Sequence, residues 1–509
     1  MTRDRTPRDR TPPFDPVAWW ARVAGARSAV IDAAHDRRIT YRELHADADR
    51  WRQALVARGV RVGDRVAVLA HNRYEFLPLF VATLRCGAVL VPLNWRLAPP
   101  ELSRVLQHAD PVLLFAESRF DSYRDLAPTV PRLDLDREVP SWLDAVAAGA
   151  PIAEASPAEL AMLLYTSGTT GAPKGVMISH RQLLWNAIST MLGWSLSAQD
   201  VAPVSTPFFH TAAWHVFTTP LLYCGGCVVV CPNFEAADFL GMLARYQVTR
   251  AFCVPTQLHL LQRAPDFGRP LPSLSSFVAG GAPLSPRTAQ AMRDAGYVVR
   301  DAYGLTECGP NCFAMPDEVV AVKTDAVGWP LPFVNMRVVD TAGTVVRAGS
   351  IGELQLRAPQ LFDGYYRDAA RTADAMTDDG WLRTGDLVSV DDDGAYRVRG
   401  RTKDMFISGG ENVFPGEVEA ALGACDGVRE VVVVAVPDAT WGEVGHAVVV
   451  PAHAGVQAAD VLRDVRARIA AYKVPKHVRF VSALPLLGSG KVDRDALRSL
   501  ALPGADGEH

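Results

Sequence analysis

Asp64-Arg-Val-Ala-Val-Leu-Ala70, Phe76-Leu-Pro-Leu-Phe-Val-Ala-Thr-Leu-Arg85 and Ala88-Val-Leu-Val-Pro92 follow one another in close succession. The outer runs are short, apolar and β-branched, which suits buried strands, and the middle run has the length of a helix. Strand, helix and strand in this order imply an α/β fold with largely parallel sheets. Upstream, Ile39-Thr-Tyr-Arg-Glu-Leu begins a segment with apolar residues at Leu44, Ala48, Trp51 and Leu55, the spacing of one helix face. Downstream, the same texture predicts strands at Val112–Ala116, Cys227–Cys231, Arg250–Val254 and Ser276–Ala279.

The texture changes after about residue 330, where Met336–Asp340, Gly352–Arg357 and Gly394–Val398 read as short strands between turns. From Lys403 a smaller unit is legible: helix Pro415–Leu422, strands Glu430–Val436 and Ala447–Pro451, and helix Ala458–Ala470. The expected organisation is a large N-terminal domain over 1–402, with a β-rich subdomain at about 330–402, and a small mobile α+β domain over 403–509. The boundary is placed near Arg401–Asp404.

A chain of 509 residues is too long for one compact core, in keeping with that division. With 49% hydrophobic and 21% charged residues, its composition is that of an ordinary soluble enzyme. A formal charge of -4 gives no electrostatic reason to expect nucleic acid or an anionic membrane as partner. Among eight cysteines, Cys224-x-x-Cys227 resembles half a zinc site, but no second pair follows at ligand spacing. Packing as small hydrophobes at a turn entering a buried strand is the reading preferred to metal or redox use. A reducing, cytoplasmic compartment fits the thiols.

Residues 1–14 mix both charge signs with prolines and lack an apolar core, so they read as a mobile arm rather than a signal peptide. Val201 to Phe234 contains no acid or base, but Pro203, Pro207, Pro220, Pro232 and Gly225-Gly226 argue against a membrane span.

The strongest chemical signal is Tyr165-Thr-Ser-Gly-Thr-Thr-Gly-Ala-Pro-Lys-Gly175. Its glycines and hydroxyl residues make a loop whose backbone N–H groups and side chains can surround phosphate oxygens, and Lys174 adds a positive charge. It is not a Walker A loop, because Gly175 follows the lysine instead of Ser or Thr. Alone, it also admits a bland reading as a flexible surface turn.

Further strings follow: Ala279-Gly-Gly-Ala-Pro283, Asp301-Ala-Tyr-Gly-Leu-Thr-Glu307, Trp381-Leu-Arg-Thr-Gly-Asp386, Gly400-Arg-Thr-Lys-Asp404, Ser408-Gly-Gly-Glu-Asn412, Tyr472-Lys-Val-Pro475 and Gly488-Ser-Gly-Lys491. Together and in this order they resemble the adenylate-forming superfamily of acyl-CoA synthetases, aryl-CoA ligases, adenylation domains and luciferases. The resemblance spans about Ile39 to Leu500.

It implies that a carboxylate attacks the α-phosphorus of ATP, giving an acyl-adenylate and pyrophosphate, and that the acyl group then passes to the thiol of coenzyme A. Two anions must meet, so catalysis needs positive charge and positioning more than a protein nucleophile. By resemblance, Thr166, Ser167, Gly168, Thr169, Thr170, Gly171 and Lys174 hold the β- and γ-phosphates. Thr306 bonds the α-phosphate or the acyl carboxylate, and Glu307 binds Mg²⁺. Asp301 and Tyr303, with Gly281, Ala282 and Pro283, face adenine; Asp386 takes the ribose diol and Arg401 supports it.

Lys491 is expected to reach in from the small domain to the reacting oxygens. Lys403 is the expected hinge, and Ser408, Gly409 and Gly410 the expected wall of the pantetheine tunnel. One departure from the family's pattern stands before Lys491, where Pro485 is followed by Leu486-Leu487. For each of these residues a purely structural role is the alternative: a helix cap for Thr306-Glu307, an Asx-turn for Asp386, a bulge for Gly409-Gly410.

Thr206-Pro-Phe-Phe-His-Thr-Ala-Ala-Trp-His215 matches the family's segment beside the acyl pocket. His210 and Trp214, with small gaps at Ala279, Gly280 and Gly304, are the expected lining, though Trp214 and Phe209 equally suit a core. No acidic residue there answers an amino group, so the expected substrate is a fatty, alicyclic or aromatic acid. An enzyme that only forms the adenylate and serves an acyl-carrier protein is the alternative, followed by a non-catalytic nucleotide-binding homologue. A homodimer stays open.

Overall fold

The structure, a computed structural model, describes residues 14–145, 160–166, 173–486 and 492–501. The opening strand–helix–strand unit sits in the centre of a six-stranded sheet. Its order is Arg132–Asp134, Leu113–Ala116, Arg65–Leu69, Val89–Pro92, Leu160–Thr166, Lys174–Ser179, parallel throughout except for the last pair. Buried on both faces, Val66, Ala67, Val68 and Leu69 explain why this strand reads as an unbroken apolar run.

The helix predicted after Ile39 spans Tyr41–Ala57. Thr40 accepts from the Glu43 amide while the Glu43 carboxylate receives the Thr40 amide, a reciprocal cap that sets its first turn. Leu44, Ala48, Trp51 and Leu55 all lie on its buried face. Trp51 packs edge-on against Phe115, ring centroids 5.1 Å apart, and against Trp142 at 5.9 Å, tying helix to sheet.

Two more sheets complete the α/β part. Arg37–Thr40, Ser28–Asp32, Cys227–Val230 and Val201–Val204 form one. Arg250–Cys253, Ser276–Ala279 and Val299–Asp301 form the other, all parallel, so their carboxyl ends open on one side. Ligands of open α/β sheets bind at that side. Cys224 ends the helix Thr219–Cys224, ahead of the Gly225-Gly226 turn into Cys227–Val230, and burial pushes the Cys224 and Cys227 thiols up to about 11 and about 12. At neutral pH they therefore stay protonated, as small apolar groups.

The expected β-rich segment is an antiparallel meander, Asn335–Val339, Ile351–Arg357, Leu382–Val390 and Tyr396–Arg401. Its last strand begins later than the sequence suggested. Asp391 to Gly394 closes a turn, with the Gly394 amide on the Asp391 carbonyl and Gly394 at φ 83°, and the strand runs on to Arg401. The C-terminal sheet joins Phe406–Ser408, Glu411–Val413, Gly442–Pro451, Val428–Asp438 and His477–Phe480, covered by helices Pro415–Gly423 and Ala458–Arg466. The latter stops before the expected Ala470, because the Arg468 amide tightens onto the Val465 carbonyl in a narrower turn. Among the described residues no helix is long and apolar enough to cross a membrane.

Trp51→Ala should lower the stability of the large unit by about 3–5 kcal/mol, read by equilibrium urea unfolding. A loss below about 1 kcal/mol would show that the Trp51–Phe115 contact does not anchor this helix.

Candidate active site

Strands Leu160–Thr166 and Lys174–Ser179 pair so that Thr166 stands opposite Lys174. The hydroxyl-rich loop joins these two residues; Ser167, Gly168, Thr169, Thr170 and Gly171 lie outside the described residues, as does Lys491. The hairpin thus fixes both ends of the loop and presents Lys174 at its mouth.

Lys174 Nζ lies 3.3 Å from Glu307 Oε1 and 4.0 Å from the centroid of the Tyr365 ring. The Tyr365 hydroxyl donates to the same Glu307 oxygen at 2.7 Å. Burial and the Glu307 charge push the Tyr365 phenol well up, so it remains a donor. Tyr365 was not anticipated, although Gly364-Tyr-Tyr-Arg-Asp368 is conspicuous once its position is known. Its segment is sewn to the hairpin by two backbone bonds, Met177 N to Gly364 O at 3.0 Å and Tyr366 N to Gly175 O at 2.8 Å.

The parallel strands Ser276–Ala279 and Val299–Asp301 deliver the next two motifs from their carboxyl ends. Gly281, at φ 86°, makes the turn, and Gly281, Ala282 and Pro283 are exposed. Every residue from Asp301 to Glu307 is half-buried. Desolvation pushes the Asp301 carboxyl up to about 7, against one bond from the Ala302 amide.

Asp386 is buried, and both of its oxygens are engaged. The Tyr303 hydroxyl donates to Oδ2 at 2.5 Å, and Arg401 Nε lies 2.9 Å from Oδ1. The arginine contact follows from strand register, since Asp386 and Arg401 are direct partners across the meander. Tyr303 therefore has its hydroxyl anchored and its ring edge-on to Phe313, with centroids 5.7 Å apart.

Several expected pocket residues are engaged in packing. Trp214 is fully buried between Phe80 at 4.8 Å and Phe208 at 4.6 Å, its indole N–H on the Phe208 carbonyl, so it is core and offers no pocket surface. Ala279 belongs to the core with Cys253, Leu258 and Phe277. The bare face of Gly280 is filled by Phe252, 3.1 Å from where a Cβ would lie, and that of Gly304 by the Pro310 backbone at 2.2 Å. Their smallness serves chain packing. His210 keeps a half-buried position beside Phe209, centroids 4.5 Å apart, and Phe209 meets Trp95 edge-on at 5.9 Å.

In the C-terminal unit, Ser408 pairs with Glu411 across a two-residue turn in which Gly409 and Gly410 have φ 60° and 88°. A Cβ on Gly409 would meet Trp441 at 2.5 Å, whereas nothing lies within 4 Å of one on Gly410. Ser408 is buried. Lys403 is exposed in the short turn Thr402–Asp404; Arg401 before it contacts Asp386, and Asp404 after it contacts Arg494 and Arg498.

Residues 17–366 match the model of the AMP-binding enzyme family, and 417–491 that of the AMP-binding enzyme C-terminal domain. This chain belongs to the AMP-binding enzyme family. It is an adenylate-forming enzyme of the acyl-CoA synthetase class, and its relatives span both of its units. A feruloyl-CoA synthase of Amycolatopsis sp is 37% identical over 465 residues, 90% of this chain and 93% of the relative. An indoleacetate–CoA ligase of Aromatoleum aromaticum is 35% identical, covering 91% of this chain and 94% of its own. Among solved structures, the o-succinylbenzoate coenzyme A synthetase of Bacillus subtilis in complex with ATP and magnesium ion superposes with TM-score 0.84 at 29% identity, over 96% of this chain and 98% of that one.

Asp301 offers a pH test. The folded chain holds this proton up to about 7, and the unfolded chain releases it near the ordinary value of about 3.9. Between those limits the fold binds more protons, so the Asp301 contribution to stability falls as pH rises. Asp301→Asn should flatten that fall in denaturation midpoints taken from pH 4 to pH 8. Parallel profiles for the two proteins would rule out the shift.

Proposed function

We propose that this protein activates a hydrophobic carboxylic acid, with aryl acids favoured, as the acyl-adenylate and then transfers the acyl group to coenzyme A. The reading is carried by one observation. Lys174, Glu307 and Tyr365 meet at the mouth of the hydroxyl-rich loop, and Tyr303-Gly-Leu-Thr-Glu307 leads from there to Asp386 and Arg401. A cation and hydroxyls suited to phosphates and an anchored carboxylate suited to a ribose thus stand at the two ends of one short loop, Tyr303 to Glu307.

In the first half-reaction the acid's carboxylate oxygen attacks the α-phosphorus of ATP, and the bond to the bridging oxygen breaks to release pyrophosphate. Thr166 and Lys174 hold the outer phosphates, and Thr306 orients the α-phosphate. Lys174 is paired with Glu307 in this structure. With nucleotide bound, its charge turns to the phosphates. A lone carboxylate completed by phosphate oxygens and water is the donor set Mg²⁺ prefers, so Glu307 fits that ion. When bound there it would neutralise phosphate charge. Asp386, whose two carboxylate oxygens each offer more than one acceptor site, takes the ribose diol. Tyr303 offers its ring to adenine.

In the second half-reaction the thiol sulfur attacks the acyl carbon, the bond to AMP breaks, and a thioester forms. A swing of the small domain about Lys403 exchanges Lys491 for the Ser408–Gly410 turn. This is supported by the opposite attachments of Arg401 and Asp404 on either side of that exposed residue. The open face of Gly410 suits passage of a ligand chain better than that of Gly409. For the acid, the Trp95–Phe209–His210 cluster supports an aromatic or otherwise apolar group. So does the chemistry in the relatives' names, feruloyl and indoleacetate.

Pyrophosphate release across a panel of acids, with and without CoA, tests the whole reading. Thioester formed with aryl acids is the expected outcome. Release without thioester would move the acceptor to a carrier protein, and no release with any acid would overturn the proposal. Lys491→Ala should slow adenylate formation about a hundredfold, as for loss of one transition-state donor worth about 3 kcal/mol. It should largely spare thiol transfer from preformed adenylate. Equal loss in both half-reactions would remove Lys491 from the role.

A further inference from the structure

The loop Leu305–Cys312 carries Thr306 and Glu307, yet it belongs to no helix or extended sheet that could satisfy its backbone. Four of the carbonyls from Thr306 to Asn311 are taken up by donors from two other parts of the chain. Gln182 Nε2, on helix His180–Gly193, donates to Thr306 O at 3.1 Å. The Phe362 amide donates to Glu307 O at 2.7 Å. Gln360 Nε2 donates to both Cys308 O at 2.8 Å and Asn311 O at 3.2 Å. Both glutamines are fully buried, at 0% exposure. Because their neighbours are carbonyl oxygens, only the amide nitrogen can face the loop, which settles the orientation of each side chain.

The far side of the same loop is held by buried amides as well. Asn311 Nδ2 donates to Thr190 Oγ1 at 3.0 Å and to His215 O at 3.1 Å, and Asn186 Nδ2 donates to His215 O at 2.8 Å. His215 lies in the wide helical turn Ala213–Thr218, where the ordinary ladder leaves carbonyls to be satisfied from outside. Asn186 also closes on Gly309, whose φ is 80° and whose added Cβ would strike the Asn186 side-chain oxygen at 2.4 Å.

Gln360 stands out within this cage. It spans the loop from Cys308 to Asn311, and it begins the segment that continues through Phe362, on the Glu307 carbonyl, to Tyr365, on the Glu307 carboxylate. One stretch, Gln360 to Tyr365, therefore grips Glu307 by its backbone, its side chain and its following turn. The length of glutamine is needed to reach two carbonyls at once. Asparagine is a methylene shorter, and a glutamate would set carboxylate oxygens against carbonyl oxygens.

We propose that Gln360, supported by Gln182, is a positioning residue for the adenylation step: it touches neither nucleotide nor acid but fixes Thr306 and Glu307 where the phosphates must be met. The proposal rests on the adenylation reading given above. Phosphoryl chemistry of this kind depends on placement, and misplacement of a reacting group by an ångström is enough to cost about a hundredfold in rate.

The test uses the full-length chain with Gln360→Met, which keeps the shape and removes the donor, beside Phe115→Leu, a core substitution remote from the loop, as a stability control. Gln360→Met should lower kcat for acid-dependent ATP–pyrophosphate exchange about tenfold to a hundredfold. It should change KM for ATP by less than about threefold, since the loop, adenine and ribose contacts remain. Hydrogen exchange in peptides covering 303–312 should speed up, a readout independent of turnover. Phe115→Leu should lower the thermal midpoint without either effect.

Unchanged kcat and exchange in Gln360→Met, or the same losses in Phe115→Leu, would overturn the proposal. Should Gln360→Met fail to fold, Gln182→Met carries the same test through Thr306 O alone. Absence of exchange in the wild-type protein with every acid would sink the functional reading instead, and is thereby distinguished.

Discussion

The Glu307 carboxylate is the point on which the site turns. One of its oxygens receives both the Lys174 ammonium and the Tyr365 hydroxyl, and its backbone carbonyl receives the Phe362 amide. Those partners come from the hairpin of Leu160–Thr166 and Lys174–Ser179 and from the turn after the Ile351–Arg357 strand, so one anionic group draws two remote segments to one place. A partly buried carboxylate is costly without partners and strongly placed with them. The same property that holds the site together leaves it ready for phosphates, because Lys174 is held by a charge that a nucleotide and its cation can replace.

Sheet geometry supplies the second constraint. The three parallel strands ending at Cys253, Ala279 and Asp301 must release their chains on one side, so the Gly281 turn and the Asp301–Glu307 loop emerge side by side. The meander approaches separately and offers Asp386 with Arg401 opposite it by register. Tyr303 bridges the two systems through its hydroxyl. The groups proposed to bind base, ribose and phosphates are thus set by backbone pairing, which keeps their relative positions rigid.

Residues that read poorly in isolation were those whose neighbours decide their exposure. Trp214 has the chemistry of a pocket wall, but Phe80 and Phe208 enclose it. Gly304 has the smallness of a substrate gap, but Pro310 occupies it. Tyr365 escaped notice for the opposite reason: a tyrosine in a turn carries no periodic signal, and its partner Glu307 is distant in sequence. Gln182 and Gln360 are equally unmarked, since a buried amide on a loop carbonyl leaves no trace in spacing or composition.

From the amino-acid order alone came the α/β class, the faces of the early helices, the β-rich segment and the chemical strings around Lys174, Glu307 and Asp386. Periodicity, turn chemistry and short motifs are local properties, and local properties are written directly in a chain. Tertiary structure alone decided which side chains meet Glu307, which apolar residues are core, which of Gly409 and Gly410 has open space, and how the Thr306–Glu307 loop is suspended. The physical reason is that such contacts join residues far apart in the chain, and only packing brings those partners together.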